Sequence, residues 1–426
     1  MFRNIAGTVV TRLLTAVITL AVVILNTNFL GAEKVGVISL VVLASAIIQI
    51  VYGFFGGASL IYFVPRAPLV RLFFPSVIWA FITSAGMAFL LDLLHMVPQG
   101  YLLQVICLAL VQSLSTIPSM VLLGHERIRA ANALTLVQVV LLAAMLLAVY
   151  LLADHPAVEH YLYALMVSFG AIFVSGMLLI RKHFRESGKD NGRGILASVL
   201  KYGAAAQTGN FIQLLNYRLT YYFVRSFAGL SSLGIFSTGV QVSEGLWIIP
   251  RSISLVQFSR ISNSDDRKEA VRLTVLFAKI SLLITALLMV VLLLIPSRAY
   301  VFVFGPEFAG TRLALMSLAV GIVMFSLSVA ISPYFSGTGR PLINTIAAAL
   351  GLVITLTAGF LLIPRLGIVG AGLTSSISYT VTALFQLTFF FVKEKLPLSA
   401  LAISSDDVKR LRKVLREKLF IKSPDV

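Results

Sequence analysis

Apolar runs long enough to cross a bilayer recur along almost the whole chain, and this constrains the fold more than any other feature. A hydrocarbon core of about 30 Å takes roughly 20 apolar residues as a helix. Such runs fall at about 7–29, 36–61, 71–92, 101–123, 131–153 and 161–180, then 200–224, 233–257, 273–295, 313–335, 342–363 and 369–391. The ten-residue alternation of a membrane β-barrel is nowhere visible. The expectation is an all-α polytopic membrane protein of about 12 transmembrane helices.

Composition narrows the partners. Of 426 residues, 58% are hydrophobic and 12% charged, yet Lys+Arg outnumber Asp+Glu by 34 to 17. A soluble domain cannot hide this much apolar surface, a disordered chain would be polar, and a nucleic-acid binder would carry its charge on a water-soluble body. No nucleic-acid partner is expected. The basic excess has a topological reading, because cytoplasmic loops are rich in Lys and Arg. With both termini cytoplasmic, the outer side holds only Lys34, Arg225, Arg298, Arg312 and Arg365. The inner side holds Arg3, Arg66, Arg71, Arg127, Arg129, the loop from Arg181 to Lys201, Arg260, Arg267, Lys268, Arg272, Arg340 and the tail. The first run is longer than a signal-peptide core and has no cleavage pattern after Asn28, so it reads as helix 1. The one cysteine, Cys107, lies within span 4 and has no partner for an intramolecular disulfide.

The basic loop between Arg181 and Lys201 divides six spans from six and carries Gly188, Gly192 and Gly194. Across that divide the chain repeats. FLGAEKVGVISLVV from Phe29 aligns without gaps on FAGLSSLGIFSTGV from Phe227, pairing Gly31 with Gly229, Gly36 with Gly234, Ser39 with Ser237 and Val42 with Val240. Both segments join the first two spans of a half, where glycine suits a tight outer turn. A weaker echo pairs Gly124, Arg127 and Asn132 with Gly337, Arg340 and Asn344. Halves with an even number of spans share orientation. The expectation is therefore two six-helix lobes about a pseudo-twofold axis along the membrane normal, with a path between them. The lobes span 1–185 and 186–392. The tail, 393–426, has Asp406 and Asp407 as caps and Val408, Leu411, Leu415 and Leu419 at helical spacing among basic residues. It reads either as a basic amphipathic helix on anionic inner-leaflet lipid or as a solvated tail.

Charges and polar stripes within spans mark where work is done, since each intramembrane charge costs about 2.5–3.5 kcal/mol on insertion scales. Arg12 lies on a stripe with Asn4, Thr8, Thr15, Thr19 and Asn26, a single helix face. The stripe favours the gap between lobes over snorkelling to the nearby surface. Span 7 repeats the design with Gln207, Asn210, Gln213, Tyr217 and Thr220. Arg218 either lines the cavity or snorkels outward, and Lys279 faces the same choice. Glu244, the one acid deep in a span, is either a coupling carboxylate or half of a structural ion pair, with Arg218 or Arg12 as its partner. Arg251 follows Glu244 at i+7 on the same face of span 8, with Pro250 set to kink the helix just before it. Four cations against one acid suit an anionic cargo such as a phosphate or diphosphate. The aromatics Tyr217, Tyr221, Tyr222, Trp247 and Tyr379 suit sugar stacking, and equally packing or an interfacial belt. No catalytic residue, cofactor or metal site is expected: there is no Walker A loop, and His95, His125, His155, His160 and His183 are scattered.

Five segments carry a resemblance to a known family: NIAGTVVTRLL (Asn4–Leu14), FLGAEKVG (Phe29–Gly36), LLNYRLTYYF (Leu214–Phe223), SLGIFSTGVQVSEGLWIIPRSI (Ser232–Ile253) and IPRLGIVGAGL (Ile363–Leu373). With them the chain resembles the polysaccharide-biosynthesis oligosaccharide flippases, O-antigen flippases among them, which group with the multidrug and lipid-linked oligosaccharide exporters. The resemblance implies alternating access and transfer of polyprenyl-diphosphate-linked oligosaccharide from the cytoplasmic to the outer leaflet of the plasma (inner) membrane. Polysaccharide assembly machinery would be the partner. Family members commonly carry an acid soon after N-Y-R, where this chain has Thr220. Any coupling role would then fall to Glu244 alone, leaving Arg218 for the substrate. Export of another solute, a membrane enzyme acting on polyprenyl-linked glycans and a non-transporting scaffold are the competing readings.

Overall fold

The computed structural model describes residues 2–185, 195–262 and 266–397. The expected tail helix and the middle of the basic linker lie outside the described residues. Every regular element described is helical. They are α1 (Phe2–Gly56), α2 (Ala58–Phe63), α3 (Leu69–Leu93), α4 (Leu102–Gly124), α5 (Ile128–Leu152), α6 (Val158–Ile180), α7 (Ile195–Gly245), α8 (Ile248–Ser262), α9 (Arg267–Leu294), α10 (Ser297–Phe304), α11 (Thr311–Gly337) and α12 (Leu342–Glu394). Short 3₁₀ turns cover Arg181–Arg185 and Pro306–Gly310. Among the described residues, eight helices are long and apolar enough to cross a membrane.

The three longest elements are each two helices joined at one glycine: Gly31 in α1 (φ 78°, ψ 174°), Gly229 in α7 (φ 85°, ψ 174°) and Gly367 in α12 (φ 53°). A side chain there would pay for left-handed backbone. The first two are the pair aligned by the sequence repeat, and they share nearly the same dihedral angles. The second repeat is equally physical. After Gly124 the left-handed residue is Glu126 (φ 58°), and after Gly337 it is Gly339 (φ 74°). Both turns close with the same bond five residues back, Arg127 N–H to Leu122 C=O (2.8 Å) and Arg340 N–H to Phe335 C=O (2.7 Å).

α1 packs on α3, α4 and α5, α7 packs on α11 and α12, and the two sets meet chiefly along α1 and α7. That seam is made by repeat partners. Ser39 Oγ donates to Ser237 Oγ at 2.8 Å. At Gly36 an added Cβ would overlap the carbonyl of Leu230, and at Gly234 the carbonyl of Ala32. Equivalent positions of the two repeats thus touch each other across the seam. The buried core runs continuously through the seam, from Leu40, Val41 and Ala44 to Leu233, Phe236 and Val240.

Span 8 departs from expectation. α7 ends at Gly245, Leu246 and Trp247 form a turn, and α8 begins at Ile248. The break sits four residues before Pro250 because proline lacks the N–H that Leu246 C=O would accept and its ring crowds that carbonyl. Glu244 and Arg251 therefore stand on two different helices, not seven residues apart on one face.

Candidate functional site: a polar cavity beneath an aromatic cluster

α7, α8, α11 and α12 enclose a cavity of about 810 Å3. α7 contributes Asn210, Gln213 and Tyr217, three members of the span 7 stripe, and α8 contributes Arg251 and Ser254. α11 presents Phe325, Ser328, Ser332 and Ser336, the serines one turn apart on one face, and α12 presents Asn344, Thr345 and Gln386. Among the lining residues Arg251 is the one charged side chain, and no carboxylate joins it.

Part of the wall is held by its own hydrogen bonds. Gln386 Nε2 donates to Asn344 Oδ1 (2.9 Å), and Asn344 Nδ2 donates to Ser336 Oγ and Ser332 C=O (both 3.0 Å). Gln213 Nε2 and Gln386 Oε1 have no hydrogen-bond partner. Gln207 is not in the lining; its Oε1 accepts from Asn210 Nδ2 at 2.9 Å.

One end of the cavity is closed by aromatics. Tyr217 meets Phe325 edge-on (centroids 5.4 Å apart) and Tyr379 likewise (5.6 Å), with Trp247 4.8 Å from Phe325. Trp247 and Tyr379 are fully buried, so they pack, whereas Tyr217 and Phe325 reach the cavity wall. Trp247 Nε1 donates to Ile322 C=O at 2.9 Å. The Arg251 guanidinium lies 5.3 Å from the Trp247 ring, a cation–π distance.

Arg218 and Glu244 form a bidentate pair, Nη1 to Oε1 and Nη2 to Oε2, both 2.7 Å. This is the strongest carboxylate–guanidinium geometry. The pair lies in α7 on either side of Gly229, and Tyr221 sits 5.3 Å from the Arg218 guanidinium.

The span 1 stripe is placed differently. Thr8 Oγ1 accepts from Asn132 Nδ2, and Asn26 Oδ1 accepts from Tyr150 Oη, both at 2.8 Å and both on α5. Asn26 is buried there, outside the cavity lining. Thr19 Oγ1 bonds to Thr15 C=O within the helix (2.8 Å), and Thr15 Oγ1 is buried without a partner. Arg12 is exposed. The side chain of Asn4 lies outside the described residues. Lys279 is half-buried on α9, outside the cavity lining.

The sequence reading missed Phe325, the serine ladder of α11, and Gln386. The available signal was the 4-residue spacing of Ser328, Ser332 and Ser336 in an apolar helix. It also scattered the histidines, whereas His125 and His183 stack with ring centroids 3.9 Å apart. Among the described residues no three His, Cys, Asp or Glu side chains converge to hold a metal ion.

The architecture has close structural counterparts. An inward-facing multidrug resistance MATE family transporter of the MOP superfamily aligns with 93% of this chain and 99% of its own, with a TM-score of 0.69 and 16% identity. The fold is that of the MOP-superfamily transporters. A MOP superfamily transporter from Pyrococcus furiosus, described as having a binding pocket of reversed polarity, aligns over 94% of this chain and 96% of its own (TM-score 0.62, 14% identity). The lipid II flippase MurJ, in an inward closed conformation, aligns over 100% and 94% (TM-score 0.60, 14% identity). In sequence, an uncharacterized membrane protein of Methanocaldococcus jannaschii is 23% identical over 251 residues, 57% of this chain. The match spans 50% of that protein's length. No family model matches the sequence.

Proposed function

We propose that this multi-pass membrane protein is a flippase that moves polyprenyl-diphosphate-linked oligosaccharide from the cytoplasmic to the outer leaflet of the plasma (inner) membrane, for cell-surface polysaccharides such as O-antigen. The observation that carries this reading is the cavity's character: one guanidinium, many hydroxyls and amides, no carboxylate. Such a lining attracts an anionic, hydroxyl-rich cargo and gives no counter-charge to a cationic drug. The fold shared with MurJ and the MATE transporters supports transport as such.

The membrane layout follows from length. α1, α7 and α12 have 55, 51 and 53 residues. At about 1.5 Å per residue, each is near 80 Å long, more than twice a hydrocarbon core. Counting each as two crossings joined at its glycine, with α8 completing the second crossing of α7, gives twelve. The reading is two six-helix lobes, 1–185 and 186–392, about an axis along the membrane normal, with both termini cytoplasmic. The lobes rock about the basic linker, and the 393–426 tail meets anionic inner-leaflet lipid and the polysaccharide assembly machinery.

In this reading Arg251 and Arg12 are the cations available to the cargo. Arg218 is neutralised by Glu244 in the present state and becomes available only if that pair opens. The test is translocation of a fluorescent lipid-linked oligosaccharide in vesicles, with and without a proton gradient. Arg12→Ala and Arg251→Ala are each expected to abolish flipping while the protein still folds. Wild-type transport by both variants would remove the cationic path. The likeness to MATE transporters favours a second reading, export of another solute; transport of a drug but not of the lipid-linked oligosaccharide would select it.

A further inference from the structure

The cavity is unusual for a membrane interior. Its wall alternates hydroxyls and amides from four helices, and two of its glutamines keep an unpaired buried atom, Gln213 Nε2 as donor and Gln386 Oε1 as acceptor. A buried polar atom without a partner carries a desolvation penalty of about 1–3 kcal/mol, which a ligand that pairs with it removes. An acyl chain or an apolar drug cannot do so. A sugar ring can, because each hydroxyl both donates and accepts. The aromatic lining is confined to one end, the half-buried Tyr217 and the largely buried Phe325, the arrangement that receives the apolar C–H side of a pyranose while its rim meets the amides. The volume, about 810 Å3, lies in the range of about 300–1,000 Å3 that small-ligand sites occupy.

Charge decides the rest. One guanidinium, with no second cation in the lining, matches one carboxylate in a bidentate pair. A diphosphate diester carries two charges and would meet a single Arg among neutral amides. The preset Gln386–Asn344–Ser336 chain fixes the amide orientations in advance of binding, which lowers the ordering cost.

We propose that the cavity between α7, α8, α11 and α12 is a glycan subsite that takes a carboxylate-bearing sugar ring, with Arg251 on the carboxylate and Gln213 and Gln386 on ring hydroxyls. The diphosphate is held elsewhere. This deepens the flippase reading and rests on it, but it concerns binding at equilibrium and needs no translocation.

The experiment measures binding of water-soluble probes to the purified full-length protein in detergent, by saturation-transfer NMR and calorimetry. The probes are a glucuronate-containing trisaccharide, the same trisaccharide with its carboxyl reduced to the alcohol, and inorganic pyrophosphate. The acidic trisaccharide is expected to bind about tenfold or more tightly than its reduced form, the value of one charged hydrogen-bonded contact. Arg251→Gln is expected to bring that ratio near unity while neutral binding persists, and Gln386→Leu to weaken both glycans together. Three results overturn the proposal: no saturable binding of either glycan, an acidic preference in the wild-type protein that survives Arg251→Gln, or pyrophosphate binding that displaces the acidic glycan and requires Arg251. The wild-type comparison of the matched glycans decides the matter even where a variant fails to fold. Glycan binding of this kind without flipping of lipid-linked oligosaccharide would keep the subsite and remove the flippase reading. Flipping without glycan binding would do the reverse.

Discussion

Arg218 and Glu244 face each other across two hydrogen bonds of 2.7 Å, with 23% and 13% of their side chains exposed. They come from the two arms of α7, on either side of Gly229, so the pair ties the arms together. Removing one partner leaves an unpaired charge in an apolar bundle, which costs about 3–5 kcal/mol, whereas replacing both with apolar residues is often neutral. Glu244→Gln and Arg218→Gln are each expected to lower the detergent melting temperature sharply. The Arg218→Met/Glu244→Leu double variant is expected to recover most of that loss. A double variant as unstable as the singles would show that the pair is not a self-contained unit.

The seam between α1 and α7 makes a sharper stability prediction. Gly36 and Gly234 each abut a backbone carbonyl of the opposite helix, of Leu230 and Ala32 respectively. A carbonyl within a helix cannot turn aside as a side chain can, so a methyl group at either position forces the helices apart. Gly36→Ala and Gly234→Ala are each expected to destabilise the protein by about 1–3 kcal/mol. Gly7→Ala is the control: a Cβ there meets nothing within 4 Å, and alanine is the better helix former. Equal melting temperatures for all three variants would contradict the seam.

Asn216 gives a third prediction. Its Oδ1 accepts from Thr355 Oγ1 (3.0 Å) and Ser378 Oγ (2.6 Å), linking α7 to both arms of α12, and all three side chains are buried. Asn216→Leu strands the Thr355 hydroxyl, an expected cost of about 1–3 kcal/mol. Adding Thr355→Val is expected to restore part of it, as a double-mutant cycle on thermal melts would read.

Where the sequence was legible, it was legible through backbone demands. Gly31 and Gly229 align because both adopt φ near +80°, a demand that restricts the residue type and so survives in sequence. The turns after Gly124 and Gly337 echo each other more faintly, because their shared left-handed position is filled by Glu126 in one and Gly339 in the other. The cavity was legible in part. The stripe of Asn210, Gln213 and Tyr217 points to it, but its serines do not, because serine in an apolar helix also bonds its own turn, as Ser76 does to Leu72 C=O. The span 1 stripe shows the converse: Thr8 and Asn26 are polar because α5 supplies Asn132 and Tyr150. A polar stripe in a membrane helix marks a partner, and periodicity does not say whether that partner is a lumen or another helix. The proline of span 8 implies a kink just before Arg251, whereas its effect lies four residues upstream, at the carbonyl it displaces.

The end of the bundle that carries Gly31 and Gly229, outer in the proposed topology, is clasped by reciprocal contacts between the halves. From the 3₁₀ turn after α10, Glu307 Oε2 accepts from the Ala32 N–H at 2.6 Å, and Asn28 Nδ2 donates to Val303 C=O at 2.7 Å. In the other direction, Arg225 of α7 donates to His95 C=O after α3 at 2.7 Å. Glu307 thus acts as an N-cap borrowed from the opposite half, placing a negative charge where the helix after Gly31 presents its unpaired N–H groups. Opening this end requires that cap to detach. Losing a cap costs about 1 kcal/mol, and by the same measure Glu307→Ala is expected to raise the open population about fivefold. Glu307→Gln keeps an acceptor oxygen and is expected to fall between. Spin labels at Glu33→Cys and Arg298→Cys, both exposed sites, in a Cys107→Ser background would read the change as a shift of the distance distribution to longer values. An unchanged distribution in Glu307→Ala would show that the clasp does not hold this end closed.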